Sequence, residues 1–347
     1  MIDIKKPKVQ RGNASLSFGT TFTDHMLLAE YEDGVGWSIF RIEAYAPFSL
    51  DPATAVFHYG QAIFDGLKAY RGNDGRVRLF RPRDYIQRLN ASAQRLCMPT
   101  LDPAAALSAL IEYVRSEQDA VAAGVGRSLY LRPAMIASEP FLGVRPAKRY
   151  LFFVIASPAG SYYDDERPLR IRVEDQYARA AQGGVGAAKT GANYAASLLA
   201  AEEAHRNGFD QVLWLDGTRE YLEETGTMNV MLRLDDEVVT PPLCGTILPG
   251  VTRDSVLRLL ADWGIPATER PVSIEEVVRA SNDGTLREAW GTGTASGIVP
   301  IAELAYQTKN LVIGAGTSGE LCGRLKIALA DIQYGRTPDS HKWTLAV

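Results

Sequence analysis

Hydrophobic and polar positions along this chain follow two different periods. From Ser128 to Arg132 they alternate with period two, the pattern of a half-buried strand, and Leu169 to Val173 repeats it. Arg149 to Ala156 is an apolar run bounded by Pro158 and reads as a strand. Gln211 to Leu215 and Met228 to Leu232 are shorter strands, and residues 36–46 read as a further one. Between these blocks the period lengthens. Ile86, Leu89, Ala93, Leu96 and Cys97 share one stripe of an amphipathic helix opened by Pro82. A second helix runs from about Pro103 to Val121. Residues 193–207 form another, closed by Gly208 just past the C-cap, where a left-handed residue is favoured. Pro249-Gly250 precedes a helix from Val251 to Trp263, and the last helix, Ser318 to Tyr334, ends at Gly335.

Strands and helices mixed in this way predict an α/β protein of the α+β type, with helices packed on sheets. A chain of 347 residues exceeds what one core ordinarily organises, so two domains are expected. Residues 157–168 are rich in turn formers and charge and read as the interdomain linker. That leaves a smaller N-terminal domain over 1–156 and a larger C-terminal domain over 169–347.

Composition narrows the classes. Hydrophobic residues are 46% and charged residues 22%, as in soluble globular proteins. A net charge of −4 gives no reason to expect nucleic acid or an anionic membrane as partner. Cys97, Cys244 and Cys322 lie far apart, suit a reducing compartment and make no paired disulfide framework. No CxxC occurs and the four histidines are scattered, so no structural metal site is expected. Met1 to Pro7 has no apolar run after its charges, and nothing approaches a membrane-spanning length. The cytoplasm is the expected location.

The candidate chemistry centres on Lys189. It lies in Ala188-Lys189-Thr190-Gly191-Ala192-Asn193-Tyr194, behind Gly183-Gly184-Val185-Gly186. Glu224-Thr225-Gly226-Thr227-Met228-Asn229 follows further on. A lysine alone is usually a solvated surface residue. Here small residues flank it on both sides, which lets a bulky ring approach the backbone. A reactive amine, a phenol close behind it and one later carboxylate are what pyridoxal phosphate chemistry needs. The competing reading is a phosphate loop in a nucleotide hydrolase. Gly183 to Thr190 misses GxxxxGK[ST] because Ala188 stands at the second glycine, and Tyr177 to Gln182 is no apolar strand. Gly291 to Gly297 likewise misses the dinucleotide fingerprint.

Other residues suit anions. Arg81, in Leu79-Phe80-Arg81-Pro82, lies at a helix start where amides point outward, and a guanidinium adds a bidentate clamp. The start of the Val251 helix offers the same amides, Thr252 adds a hydroxyl, and Thr292 offers another. Together they suit one phosphate. Tyr130 and Arg132, two apart in a strand, share a face and suit a substrate carboxylate. A structural Arg–Tyr pair is the plainer alternative. Phe18, Tyr59 and Phe64 could wall an apolar pocket or simply be core.

Taken in order, these residues resemble the branched-chain amino acid aminotransferases of the fold-type IV group of pyridoxal phosphate enzymes. The resemblance runs nearly end to end. Its most specific pieces are Phe57-His58-Tyr59-Gly60, Leu79 to Pro82, Ser128 to Pro133, Lys189 to Tyr194, Glu224 to Asn229, Leu248-Pro249-Gly250-Val251 and Gly291 to Ala295. It implies a two-domain architecture with the cofactor between the domains, and transamination of leucine, isoleucine and valine with 2-oxoglutarate. It also implies roles. Lys189 carries pyridoxal 5'-phosphate and moves the proton; Tyr194 bonds the ring hydroxyl and Glu224 the ring nitrogen. Arg81, Thr227, Val251, Thr252 and Thr292 bind the cofactor. Thr294 and Ala295 present amides to the substrate carboxylate, with Tyr130 and Arg132 behind. Phe18, Tyr59 and Phe64 line the side-chain pocket. Leu142 and Val144 match positions donated to a neighbouring subunit, so a homodimer is implied. Some members carry a CxxC just after the Gly-Thr-Ala turn; Ser296 and Val299 stand there instead, so no thiol switch is expected. Within the group, D-amino acid and R-amine transaminases and aminodeoxychorismate lyase are the nearest rivals. A cofactor-free binding protein of the same fold is a third reading.

Overall fold

The computed structural model describes residues 18–160 and 167–347, which divide into two compact units. One comprises 18–160 with 331–347, and the other 167–330.

The first unit opens with β1 His25–Glu32, β2 Gly36–Trp37, β3 Arg41–Ala44 and a short helix α1 Ala55–Tyr59. Strands β4 Ala62–Phe64, β5 Leu67–Arg71 and β6 Val77–Phe80 follow, then helices α2 Pro82–Arg95 and α3 Pro103–Ser116, and strands β7 Ser128–Ala137 and β8 Arg149–Ala159. In the second unit come β9 Leu169–Glu174, α4 Gly191–Arg206, β10 Gln211–Leu215, β11 Leu222–Thr225, β12 Met228–Leu234 and β13 Glu237–Thr240. They are followed by α5 Val251–Asp262, β14 Ala267–Glu269, α6 Ile274–Asn282, β15 Leu286–Gly293, β16 Gly297–Tyr306, β17 Lys309–Val312 and α7 Glu320–Gln333. The last strand, β18 Thr344–Ala346, pairs with β6, with Thr344 opposite Phe80.

The first sheet has nine strands in the order β18-β6-β5-β7-β8-β1-β2, with β3 added on β1 and β4 on β7. Alternation along its strands gives it two characters. Leu67, Leu131 and Pro133 turn to one side, where Ile86 and Leu89 of α2 and Leu110 of α3 cover them. Each such leucine withdrawn from water contributes about 1.5–3 kcal/mol. Gly66, Lys68, Tyr130 and Arg132 turn to the other side.

The second sheet also has nine strands, in the order β11-β10-β9-β16-β15-β12-β13-β14, with β17 on β16. Strand β11 pairs with both β10 and β12, so six strands close on themselves. Helix α4 seats Ala200 and Ala204, one turn apart, against Val212 and Trp214. It ends at Asn207, and Gly208 takes the left-handed conformation with φ of 80°. The start of α7 is capped from β15. The Glu288 carboxylate accepts from the amides of Leu321 and Cys322 at 3.1 and 2.9 Å, satisfying two of the first-turn donors.

Several sequence expectations need correction. The strand over 36–46 is broken into β2 and β3, because Ser38 uses its hydroxyl as well as its amide to bond Glu30 and interrupts the ladder. Strand β1, with buried Met26 to Ala29, was not anticipated. Cys97 does not join the apolar stripe: α2 ends at Arg95, and Cys97 turns left-handed (φ 54°) into solvent. The second helix stops at Ser116, followed by a 3-10 turn at Gln118–Ala120. Strand β8 continues to Ala159, past the expected start of the linker at Ser157. Residues 161–166 of that linker, and Met1 to Pro7, lie outside the described residues. The expected second domain extends to 347, whereas 331–347 group with the first unit. Among the described residues no helix is long and apolar enough to cross a membrane.

Candidate active site

Lys189 lies at the end of an irregular segment, immediately before Thr190, the N-cap of α4. Asn193, one turn into that helix, reaches back: its amide donates to the carbonyls of Val185 and Ala188, both at 2.9 Å. The lysine segment is thereby fixed to the helix. Tyr194 is on the same turn, and the Lys189 amine donates to its hydroxyl at 2.6 Å. No strand runs into this segment, since Tyr177 to Gln182 are irregular, so the context that a phosphate loop requires is missing.

Glu224, in β11, is buried. One carboxylate oxygen accepts from the Leu248 amide at 2.7 Å, and the Arg179 guanidinium lies 3.3 Å from the same oxygen. A buried carboxylate needs such a partner, because an isolated charge out of water is costly. Arg179 also donates to the carbonyls of Gly186 and Thr246. It therefore ties together the acid, the lysine segment and the segment leading to α5. Its neighbour in the strand, Glu223, is in a different setting: burial pushes its carboxyl above the usual range.

Lys189, Tyr194, Glu224, Thr227, Leu248 and Arg179 line one cavity. Thr227 sits in the turn between β11 and β12, where Gly226 has a φ of 55° and its carbonyl accepts from the Trp214 indole at 3.0 Å. Pairing extends the row across the sheet, with Glu224 opposite Asn229 and Asn229 opposite Thr292. Asn229 donates to the Leu248 carbonyl at 2.9 Å. Its Oδ1 would lie 1.9 Å from a Cβ at position 250, so only glycine lets that chain pass so close. Gly250 is the N-cap of α5 and provides no side-chain cap. Val251 and Thr252 start the helix, whose positive end favours an anion. Thr294 and Ala295 occupy the turn between β15 and β16, next to Thr292.

These residues fit pyridoxal phosphate. The Thr292 hydroxyl is buried with no protein partner, a donor suited to a phosphate oxygen. The helix start offers the matching amides, and the amine, phenol and acid share the cavity.

The remaining expected residues belong to the first unit. Phe18, Phe64, Tyr130 and Arg132 come together. The Arg132 guanidinium lies 4.8 Å from the Phe64 ring centroid and donates to the Tyr130 hydroxyl at 2.9 Å. Phe18 meets the Tyr130 ring edge-on at 4.8 Å. Tyr59 is in a separate contact, donating to the Leu142 carbonyl. Leu142 and Val144 are exposed, at 61% and 87%. Arg81 caps α2 in a left-handed conformation and holds Asp84 through two bonds of 3.0 and 3.1 Å.

Sequence reasoning missed three participants. Arg179 sits between alanines, with nothing local to set it apart from a surface arginine. Lys68 stands directly opposite Tyr130, and burial pushes its amine down to about 8. Gly66 makes room for the Tyr130 phenol, since a Cβ there would lie 1.9 Å from the hydroxyl oxygen. The motif Phe64-Asp65-Gly66-Leu67-Lys68 was the available signal for the last two.

Comparison with known proteins gives a consistent result. The family model described as Amino-transferase class IV matches residues 62–304. Branched-chain-amino-acid transaminase 1 of Bacillus subtilis (strain 168) is 50% identical over 337 residues, covering 96% of this chain and 95% of that protein. A probable branched-chain-amino-acid aminotransferase of Streptomyces coelicolor is 47% identical, covering 95% and 92%. Among solved structures, the Escherichia coli branched-chain amino acid aminotransferase superposes with a TM-score of 0.78 at 25% identity, covering 92% of this chain and 98% of that one. The branched-chain aminotransferase of the thermophilic archaeon Thermoproteus uzoniensis, solved with norvaline, gives 0.76 at 25% identity, covering 92% and 99%. Another solved branched-chain amino acid aminotransferase is complexed with N-(5'-phosphopyridoxyl)-L-glutamate.

Proposed function

The chain belongs to the amino-transferase class IV family, and we propose how its residues divide the work of the reaction. It is a branched-chain-amino-acid transaminase, moving the amino group of leucine, isoleucine or valine to 2-oxoglutarate to give a branched 2-oxo acid and L-glutamate. Its cofactor is pyridoxal 5'-phosphate. When bound, that group supplies an aldehyde that captures the amino group and a ring that accepts the electrons released at the α-carbon.

Lys189 Nζ would hold the cofactor through its aldehyde carbon. Freed by the substrate amine, the same nitrogen would serve as the general base that moves the α-proton. Tyr194 Oη, 2.6 Å from that amine, keeps it aligned and would bond the cofactor's ring hydroxyl. Glu224, fixed by Leu248 and Arg179, would keep the cofactor's ring nitrogen protonated. Val251, Thr252, Thr292 and Arg81 would hold the phosphate, and Thr227 would also contact the cofactor. Thr294 and Ala295 would present amides to the substrate carboxylate, and Tyr130 and Arg132 would also serve substrate recognition. Phe18, Tyr59 and Phe64 make the apolar wall. A pocket that accepts both an aliphatic and a carboxylate side chain is apolar with few polar groups at its rim.

The observation carrying this reading is the shared cavity of Lys189, Tyr194 and Glu224. Hydride trapping followed by peptide mapping tests it: the pyridoxyl label is expected on Lys189, and a label elsewhere refutes the assignment. Lys189→Ala is expected to lower turnover by at least about 10³-fold, since it removes both attachment and base.

We also propose a cytoplasmic homodimer. The exposure of Leu142, Val144, Leu198 and Leu199 supports an interface with a second copy, and the free thiols of Cys97, Cys244 and Cys322 support a reducing compartment. Sedimentation of a Val144→Asp variant tests the interface, with a shift toward monomer expected.

A further inference from the structure

Phe64, Asp65 and Gly66 join β4 to β5, and their side chains alternate between the two sides of the sheet. Phe64 and Gly66 turn to the side that carries Tyr130 and Arg132. Asp65 turns to the helix side. There it is fully buried, and Arg88 of α2 grips both its oxygens, at 3.0 and 2.5 Å. One of those oxygens also accepts from the Gly66 amide at 2.7 Å, while the Asp65 amide donates to the Pro133 carbonyl at 2.8 Å. The pair thus fixes the chain directly beside Arg132 and directly before Gly66.

Both attachments lead to the recognition face. Gly66 is in tight contact with the Tyr130 phenol, and Phe64 lies under the Arg132 guanidinium. Arg132 Nε is buried without a protein partner, a donor left for a ligand. A small displacement of the Phe64-Asp65-Gly66 bend moves the floor beneath both groups.

We propose that the Asp65–Arg88 ion pair is a positioning element for substrate recognition, setting the Tyr130–Arg132 pair from the opposite side of the sheet. For fold stability alone a buried ion pair is a poor device, since an apolar pair of similar volume often serves as well. Its two-point geometry, by contrast, fixes direction.

The inference rests on the role proposed above for Tyr130 and Arg132. Three variants are assayed with 2-oxoglutarate and with the branched 2-oxo acid of leucine as amino acceptors. Arg132→Lys sets the reference by showing which acceptor's KM it raises. The double variant Asp65→Leu/Arg88→Met, which leaves no lone buried charge, is expected to raise the same acceptor's KM about tenfold with kcat within about twofold. Arg88→Lys, keeping the charge but not the two-point grip, is expected to give a smaller rise of the same pattern. Hydride labelling of Lys189 stays complete in all three. If Arg132→Lys raises a KM and both ion-pair variants leave it at the wild-type value, the pair is merely structural and the proposal falls. If Arg132→Lys moves neither KM, the role of Arg132 fails first and takes this proposal with it. Should the double variant not fold, Arg88→Lys decides alone.

Discussion

Around Lys189 the polar side chains bond one another and are also anchored to main-chain atoms; around Tyr130 the bond between Tyr130 and Arg132 joins two side chains. Arg179 donates to two carbonyls, Glu224 accepts from an amide, and Asn193 and Asn229 bond carbonyls. Tyr130 and Arg132 meet each other, with Phe18 and Phe64 packed on their rings. The difference suits the two tasks proposed for these residues. Proton transfer tolerates little displacement, so its groups are anchored to a backbone that is itself fixed by sheet pairing. Recognition of both an aliphatic and an acidic side chain requires some adjustment, and contacts between side chains rearrange at lower cost.

That contrast can be broken at its rigid end first. Glu224→Gln leaves the main-chain anchors in place while removing the charge, and is expected to lower kcat by about 10²-fold or more with cofactor still bound, as followed by visible absorbance. A near-native rate would mean that the acid has no electronic role. At the adaptable end, Gly66→Ala forces only a phenol to move. A rise of about tenfold in KM for one acceptor is expected from disturbing the Tyr130–Arg132 bond, with Tm falling by no more than about 2–4 °C. A large loss of stability with unchanged KM would show that the recognition face is as rigid as the cavity.

The smallest effect concerns Lys68. Its amine is pushed down to about 8 in the folded protein from an ordinary value of 10.5. The folded state therefore holds this proton less tightly than the unfolded chain does. The resulting stability cost is fully present below about pH 8 and fades as pH rises to 10.5. Lys68→Met removes it, so urea unfolding should show the variant favoured at pH 7 by about 1 kcal/mol after allowance for partial exposure, and the gap should narrow by pH 10. An unchanged gap would show that the amine titrates normally.

Much of this was legible in the chain itself. The Pro82 and Val251 helices, the alternation at Ser128 and the Lys189 and Glu224 segments each carry a local signature that the structure repeats. What escaped was non-local. Arg179 matters because of the carbonyls of Gly186 and Thr246, the second of which is 67 positions away in the chain. Asp65 matters because of Arg88, on a helix of its own. Ser38 ends a strand by bonding Glu30 across a turn, which no local count of apolar residues reveals. The return of Thr344 to Phe80 likewise depends on pairing between stretches far apart in the chain.

Strand β11 is bonded along both flanks, with Leu213 opposite Thr225 on one side and Asn229 opposite Glu224 on the other. A shift by one place would swing Glu223, whose carboxyl burial pushes above the usual range, into the position now held by Glu224. Two consecutive glutamates make that mistake chemically plausible, and a strand zipped on both edges is what forbids it. In the role proposed for Glu224, the closed pairing is a proofreading device: it selects which of two identical side chains the reaction is allowed to use.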